Sequence, residues 1–232
     1  MKSLNLKGET YQCFPYGDHW FRIIRPKDNK VNLTAIGQTI YSSRIEGLTN
    51  IISTASEISI QTDHIDQVLE KIETLVYDET QIATKTYRLP INFSEHPDWK
   101  IITEHTGLSK IQYIEALLST SYQIDMLGFV VGFYYCKKLD KKLQVPRKSI
   151  PSTQVEPGSI AVAADYLGIY SLASPGGWNI IGKTPLTLLD IDHYPPTKMN
   201  VLDKLQLEAI DLDKYKSIKS LHLDIAGYNA GY

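Results

Sequence analysis

Apolar residues recur along this chain with two different periods, and the change between them suggests where it divides. Across residues 64–77, Ile65, Val68, Leu69, Ile72, Leu75 and Val76 follow the i, i+3, i+4, i+7 spacing of a helix with one buried stripe. Asp63 stands where a side-chain N-cap is expected. Residues 31–44 predict a second helix, with Val31, Ile36 and Ile40 inward. Around these the period is two. Residues 11–16 and 19–25 read as short strands flanking a Gly17-Asp18 turn, 48–52 as another, and 57–61 as a strand alternating through Ile58 and Ile60. A β-β-α-β-β-α order predicts a small α+β sandwich ending near residue 83.

A new region opens with a strand over 87–93, then a helix over about 97–105 with Gly107 placed for a left-handed C-terminal cap. Ser109 starts a further helix, and Gln112 completes its capping box. From Gly128 onward short β segments alternate with Gly and Pro, the habit of a barrel or sandwich. Residues 217–232 alternate through Leu221, Leu223 and Ile225, which predicts one more strand before a Gly/Asn/Tyr tail. The fold class expected is α+β, with an N-terminal α+β domain over 1–84 and a β-barrel domain over 85–232.

Composition narrows the function classes. Twenty-four Lys+Arg against 26 Asp+Glu leave no strong field to attract nucleic acid or an anionic membrane, and no basic run supplies one locally. Cys13 and Cys136 are too few and too far apart for a disulfide framework or a Cys₄ zinc site. The six His show no H-x-x-x-H or H-E-x-x-H spacing, so no metal site is expected. Neither an apolar leader core nor a bilayer-length run is present, so a cytoplasmic protein is the expectation.

One motif needs weighing. Gly177 to Thr184 satisfies G-x-x-x-x-G-K-[ST], the formal signature of a phosphate-cradling loop. Such a loop needs small, pliant residues and a helix after it, so that backbone N–H groups can face the anion. Here the interior is Trp178-Asn179-Ile180-Ile181, which is bulky and β-prone, and Pro185 biases Thr184 away from the α region. Residues 186–191 then read as a strand. The stretch predicts a Pro-Gly-Gly turn feeding β structure.

The second half carries a resemblance. Glu104-His105-Thr106-Gly107-Leu108-Ser109, Leu127-Gly128-Phe129, Gly132-Phe133, Tyr135, Pro146-Arg147, Pro157-Gly158-Ser159, Gly168-Ile169-Tyr170 and Ser174 through Pro185 resemble the KipI/PxpB family. That family comprises the B component of bacterial ATP-dependent 5-oxoprolinase (PxpB), the sporulation-kinase inhibitor KipI, and the allophanate hydrolase subunit 1, or carboxyltransferase-type, domain. Weaker similarity reaches Tyr16-Gly17-Asp18 and Arg88-Leu89-Pro90. The resemblance implies a cyclophilin-like β-barrel after the α+β domain. It implies work inside a complex with PxpC-like and PxpA-like subunits, which uses ATP as co-substrate to open the lactam of 5-oxoproline, with no tightly bound cofactor. Its alternative implication is a KipI-like inhibitor that binds a sensor histidine kinase.

Departures from the family pattern are specific. Leu117 stands where the family has His, Val131 where it has Pro, Ser152 where it has a second Arg, Tyr166-Leu167 for Gln-Thr, and Val201-Leu202-Asp203 for Pro-Gly-Asp. Lys183 replaces a usual Arg. Hydrogen-bonding and proton-transfer groups are lost while turn residues remain, the pattern of a retained scaffold with altered chemistry.

The candidate ligand residues are Arg147, Ser159, Gly176, Gly177, Trp178 and Lys183, with no catalytic residue assigned. Arg147 either clamps a carboxylate or phosphate with its planar fork or is a surface residue beside Lys148. Trp178 forms a cleft wall or packs on the Pro175 turn. Ser159 is a ligand hydroxyl or a turn serine, and Lys183 an anion contact or a solvated strand-end lysine. His105 is explained by its place at a helix end, where the dipole favours a cation.

Overall fold

A computed structural model of the chain describes residues 2–6, 8–26, 31, 33–54, 56–77, 84–93, 96–193 and 196–231. They fall into two compact units, Met1–Ala83 and Thr84–Tyr232. In the first, β1 (Lys2–Leu6), β2 (Glu9–Pro15), β3 (Trp20–Ile24), β4 (Asn50–Ser53) and β5 (Glu57–Gln61) form an antiparallel sheet in the order β1-β2-β3-β5-β4. Helices α1 (Leu33–Ser42) and α2 (Ile65–Glu73) bury Leu33, Ile36, Ile40, Val68, Leu69 and Ile72 in one core with Leu4, Leu6, Tyr11, Ile23, Ile58 and Ile60. Two expectations change here. Strand β1 has no counterpart in the sequence reading, and α2 is capped at His64 without a side-chain bond rather than by Asp63, which pairs with His19 Nδ1 at 2.5 Å.

The second unit holds β6 (Thr86–Ile91), α3 (Asp98–Thr106), α4 (Lys110–Leu118), β7 (Ser121–Leu127), β8 (Tyr134–Lys137), β9 (Ser152–Val155) and β10 (Ser159–Ala163). After these come β11 (Tyr166–Ile169), β12 (Ser174–Gly176), β13 (Asn179–Lys183), β14 (Lys204–Ala209), α5 (Leu212–Ser220) and α6 (Ile225–Asn229). Seven strands make a mixed half-barrel sheet ordered β13-β10-β11-β8-β7-β14-β6, in which only β14 and β6 run parallel. Its two edges meet. Asn92, just past β6, exchanges backbone bonds with Lys183 of β13, N to O at 2.9 Å and O to N at 3.0 Å. Gly182 permits this closure, because a Cβ there would lie 2.6 Å from the Asn92 carbonyl oxygen. Strands β9 and β12 form a separate two-stranded ribbon.

Gly107 caps α3 in the left-handed region at φ 70°, and Ser109 and Gln112 form the capping box of α4, as their positions predict. The chain end corrects the sequence reading. Residues 212–220 and 225–229 are helical, each started by an aspartate whose carboxylate accepts a backbone N–H at 2.7 Å: Asp211 from Lys214 and Asp224 from Gly227. Residues 186–191 form no strand either; Thr187 alone makes a bridge, to Asp224. No helix starts directly after Lys183, residues 184–193 being non-helical, and the amides of Ile180, Lys183 and Thr184 are engaged by Asp98 Oδ2, Asn92 O and Gly158 O. A phosphate loop is therefore excluded. Among the described residues no helix is long and apolar enough to cross a membrane.

Candidate functional site: an aromatic cleft at the Pro-Gly-Gly-Trp turn

Between β12 and β13 the turn places Trp178 against two rings from the start of β8, Phe133 and Tyr135, and Phe133 in turn meets Tyr170 at the end of β11. Phe133 meets Trp178 edge-on at 5.6 Å and Tyr170 at 4.8 Å, and Tyr135 meets Trp178 at 5.6 Å. Glycines make this approach possible. A Cβ on Gly168 would sit 2.6 Å from Trp178 Cζ3 and 2.8 Å from Phe133 Cζ, and one on Gly176 would sit 2.2 Å from Tyr170 Oη. The Gly168-Ile169-Tyr170 and Pro175-Gly176-Gly177-Trp178 segments are thus two halves of one packing arrangement.

Over this floor lies a cleft of about 290 Å³ bordered by Phe129, Arg147, Pro151 and Gly177 as well as the four rings. The Arg147 guanidinium stands 5.8 Å above the Trp178 ring centroid and is otherwise exposed, so its fork is available to a ligand while the indole face holds its plane. Backbone stitching sets its place. Lys148 N donates to Gly177 O at 2.7 Å, and Asn179 Nδ2 donates to Pro146 O at 2.8 Å. Burial pushes the Tyr170 hydroxyl up to about 12 and raises that of Tyr135, so both remain protonated near neutrality and serve as hydrogen-bond donors. The lining holds no carboxylate, imidazole or thiol. Chemically the cleft can hold a planar anion over an aromatic floor; it carries no group that could take up a proton at neutral pH.

Four of the six candidates, Arg147, Gly176, Gly177 and Trp178, come together here. Ser159 and Lys183 do not; they line a separate cavity of about 220 Å³ with His96, Ser152, Gln154 and Glu156. Arg147 and Trp178 therefore border one cavity and Ser159 and Lys183 another, because β13 carries Lys183 away from the turn that holds Trp178. Gly176 is explained by Tyr170, independently of any ligand.

Sequence reasoning missed a buried ion pair beside the cleft. Lys148 Nζ lies 2.9 Å from Asp98 Oδ2 and 2.8 Å from Ser152 Oγ, with both charged side chains under a tenth exposed, at 9% and 8%. Asp98 Oδ2 also accepts the Ile180 N–H at 2.8 Å and faces His96 Nδ1 at 3.5 Å. This ties the start of β13 to α3. Nothing in the sequence marks it, since Lys148 reads as a surface neighbour of Arg147 and Asp98 as an ordinary first-turn acid.

The departures from the family pattern sort by location. Leu117 and Leu167 are fully buried in the main core, at 0% exposure. Tyr166 lays its ring against Tyr135 and donates to Asp125 Oδ2 at 3.0 Å. Among the described residues no group of three or more His, Cys, Asp or Glu could hold a metal ion.

A family model described as carboxyltransferase domain, subdomain C and D, matches residues 19–199. The chain is 40% identical over 94 residues to the B component of 5-oxoprolinase from Escherichia coli O157:H7, a match covering 40% of this chain and 43% of that one. It is 29% identical over 142 residues to the corresponding 5-oxoprolinase component of Bacillus subtilis strain 168, covering 60% and 59%. These matches span about half the length of the curated relatives. In fold it resembles the crystal structure of the K. lactis urea amidolyase, with a TM-score of 0.69 at 16% identity over 97% of this chain and 17% of that one.

Proposed function

This chain belongs to the carboxyltransferase-domain family, subdomains C and D, and from that premise we propose that it is a B-type component of an ATP-dependent, 5-oxoprolinase-like amidohydrolase. In this reading the curled sheet is a cyclophilin-like barrel, and its aromatic cleft holds the carboxylate of a small lactam through Arg147. The observation that carries it is the make-up of the lining: one cation, phenol donors, an aromatic floor and no acid–base group. Such a cleft binds and orients. ATP and the proton-transfer groups then come from PxpA-like and PxpC-like partners. Reconstitution with the cognate PxpA-like and PxpC-like proteins tests this, with 5-oxoproline and ATP supplied and glutamate measured. The expected result is ATP-linked glutamate formation that Arg147→Met lowers by about tenfold to a hundredfold in kcat/KM, the size of a lost charged hydrogen bond. No assembly, or full activity in the variant, defeats the reading.

A second reading is favoured by Phe129 and Val131, which are 60% and 59% exposed at and beside the cleft rim. An apolar rim around a cleft without acid–base groups suits a binding-only role, such as KipI-like inhibition of a sensor histidine kinase. Slowed autophosphorylation of a co-encoded kinase, relieved by Phe129→Ser, is its expected signature; an unchanged rate counts against it.

A further inference from the structure

We propose that a third cavity, formed by residues 156–158 before β10, the end of β13 with the segment after it, and helix α5, binds a small molecule bearing an oxyanion, carboxylate or phosphate, between Lys183 and Lys219. The cavity has a volume of about 380 Å³, shares Glu156 and Lys183 with the 220 Å³ cavity, and shares no lining residue with the aromatic cleft. Its lining includes Lys183, Lys219, His222, Glu156 and Tyr215, with Leu186 and Leu188 among its apolar residues. Among the described residues neither lysine forms an ion pair, although the chain as a whole carries a formal charge of −2. Two unpaired cations facing one concavity repel each other and favour an anion between them. Lys183 registers this: burial first, then Lys219, lowers its pKa, against a smaller opposing effect of the Glu156 carboxylate.

Each component has an ordinary explanation taken singly. Lys219 lies in the last turn of α5, where the dipole favours a cation, and its ammonium sits 5.9 Å from the Tyr215 ring. That role does not account for Lys183, half-buried on another element and lining the same space. Glu156 accepts from Gln154 Nε2 at 2.6 Å and so is held by a neutral partner rather than by either lysine. It remains able to face an ammonium carried by the same ligand. Volume and lining suit a molecule with a short apolar portion. The inference does not depend on the amidohydrolase reading, because it concerns different residues.

Isothermal titration of the full chain with inorganic phosphate and, separately, with glutarate tests it at low ionic strength. The wild type is expected to bind one probe saturably; the stronger probe identifies the ligand as phosphoryl or carboxylate. Lys183→Met and Lys219→Met should each weaken binding by at least about tenfold, the effect of losing one charged hydrogen bond. Lys183→Arg should restore it to within about threefold, and Lys141→Met, at an exposed lysine that lines none of the three cavities, should leave it unchanged. Near-ultraviolet circular dichroism checks that each variant is folded, and the exposed Lys219 gives a variant independent of the sheet. No saturable binding by the wild type, or equal binding by the methionine variants, overturns the proposal.

Discussion

At Gly168 a hydrogen atom decides whether two aromatic rings can meet. Its missing Cβ leaves the space that Trp178 and Phe133 occupy, and the distances of 2.6 and 2.8 Å leave an alanine methyl nowhere to go. Both rings are almost fully buried, at 7% and 1% exposure, so neither can swing into solvent without losing its packing. Gly168→Ala is expected to destabilise the chain by about 1–3 kcal/mol in urea unfolding and to alter the Trp178 emission spectrum. The glycine, the Pro-Gly-Gly turn and the aromatic residues are legible in the sequence as a recurring combination. That they touch is not, because β11 and β13 are brought together only through β10. The same limit hides the Lys148–Asp98 pair. Removing one partner of a buried pair strands the other charge, so Lys148→Met should cost about 3–5 kcal/mol, whereas the exposed Arg147→Met should cost little; paired denaturant curves decide.

Elements are readable where a local chemical signal coincides with the apolar period. Helix α4 shows this: Ser109 Oγ accepts from Gln112 N, and Gln112 Oε1 accepts from Ser109 N at 2.9 Å. The chain end shows the failure. Leu221, Leu223 and Ile225 alternate like a strand, yet Leu221 closes α5 and Ile225 opens α6, so the alternation straddles two helix ends. Asp211 and Asp224 are the signals that outweigh it. Strand β1 escapes notice for a different reason: Leu4 and Leu6 supply only two inward positions, too few to stand out before pairing with β2 is known. Asp211→Ala should lower stability by about 1 kcal/mol and loosen α5, detectable as faster amide exchange at Lys214.

Across the whole molecule, pairing order is the least readable property. The parallel β14–β6 contact joins strands more than a hundred residues apart, Leu205 opposite Tyr87 and Leu207 opposite Leu89, and no local pattern announces it. Acid sensitivity belongs to this scale as well. Hydrogen bonding by the Arg22 guanidinium across β3 and β5 holds the Glu57 carboxyl below its ordinary value of 4.5. A lowered carboxylate pKa stabilises the folded state fully above the unfolded value and loses that contribution as pH falls through the folded one. Stability of the first unit should therefore decline below about pH 4.5, and Glu57→Gln should flatten that decline, read as amide exchange in β3 and β5. The Asn92–Lys183 bridge has a mechanical consequence. Two backbone bonds fasten the rim of a seven-strand hoop, and the residue supplying one half of that clasp also lines the cavity beside α5. A ligand held at Lys183 would thus sit on the seam itself, and its expected trace is slower amide exchange at Asn92 and Lys183 when the cavity is filled.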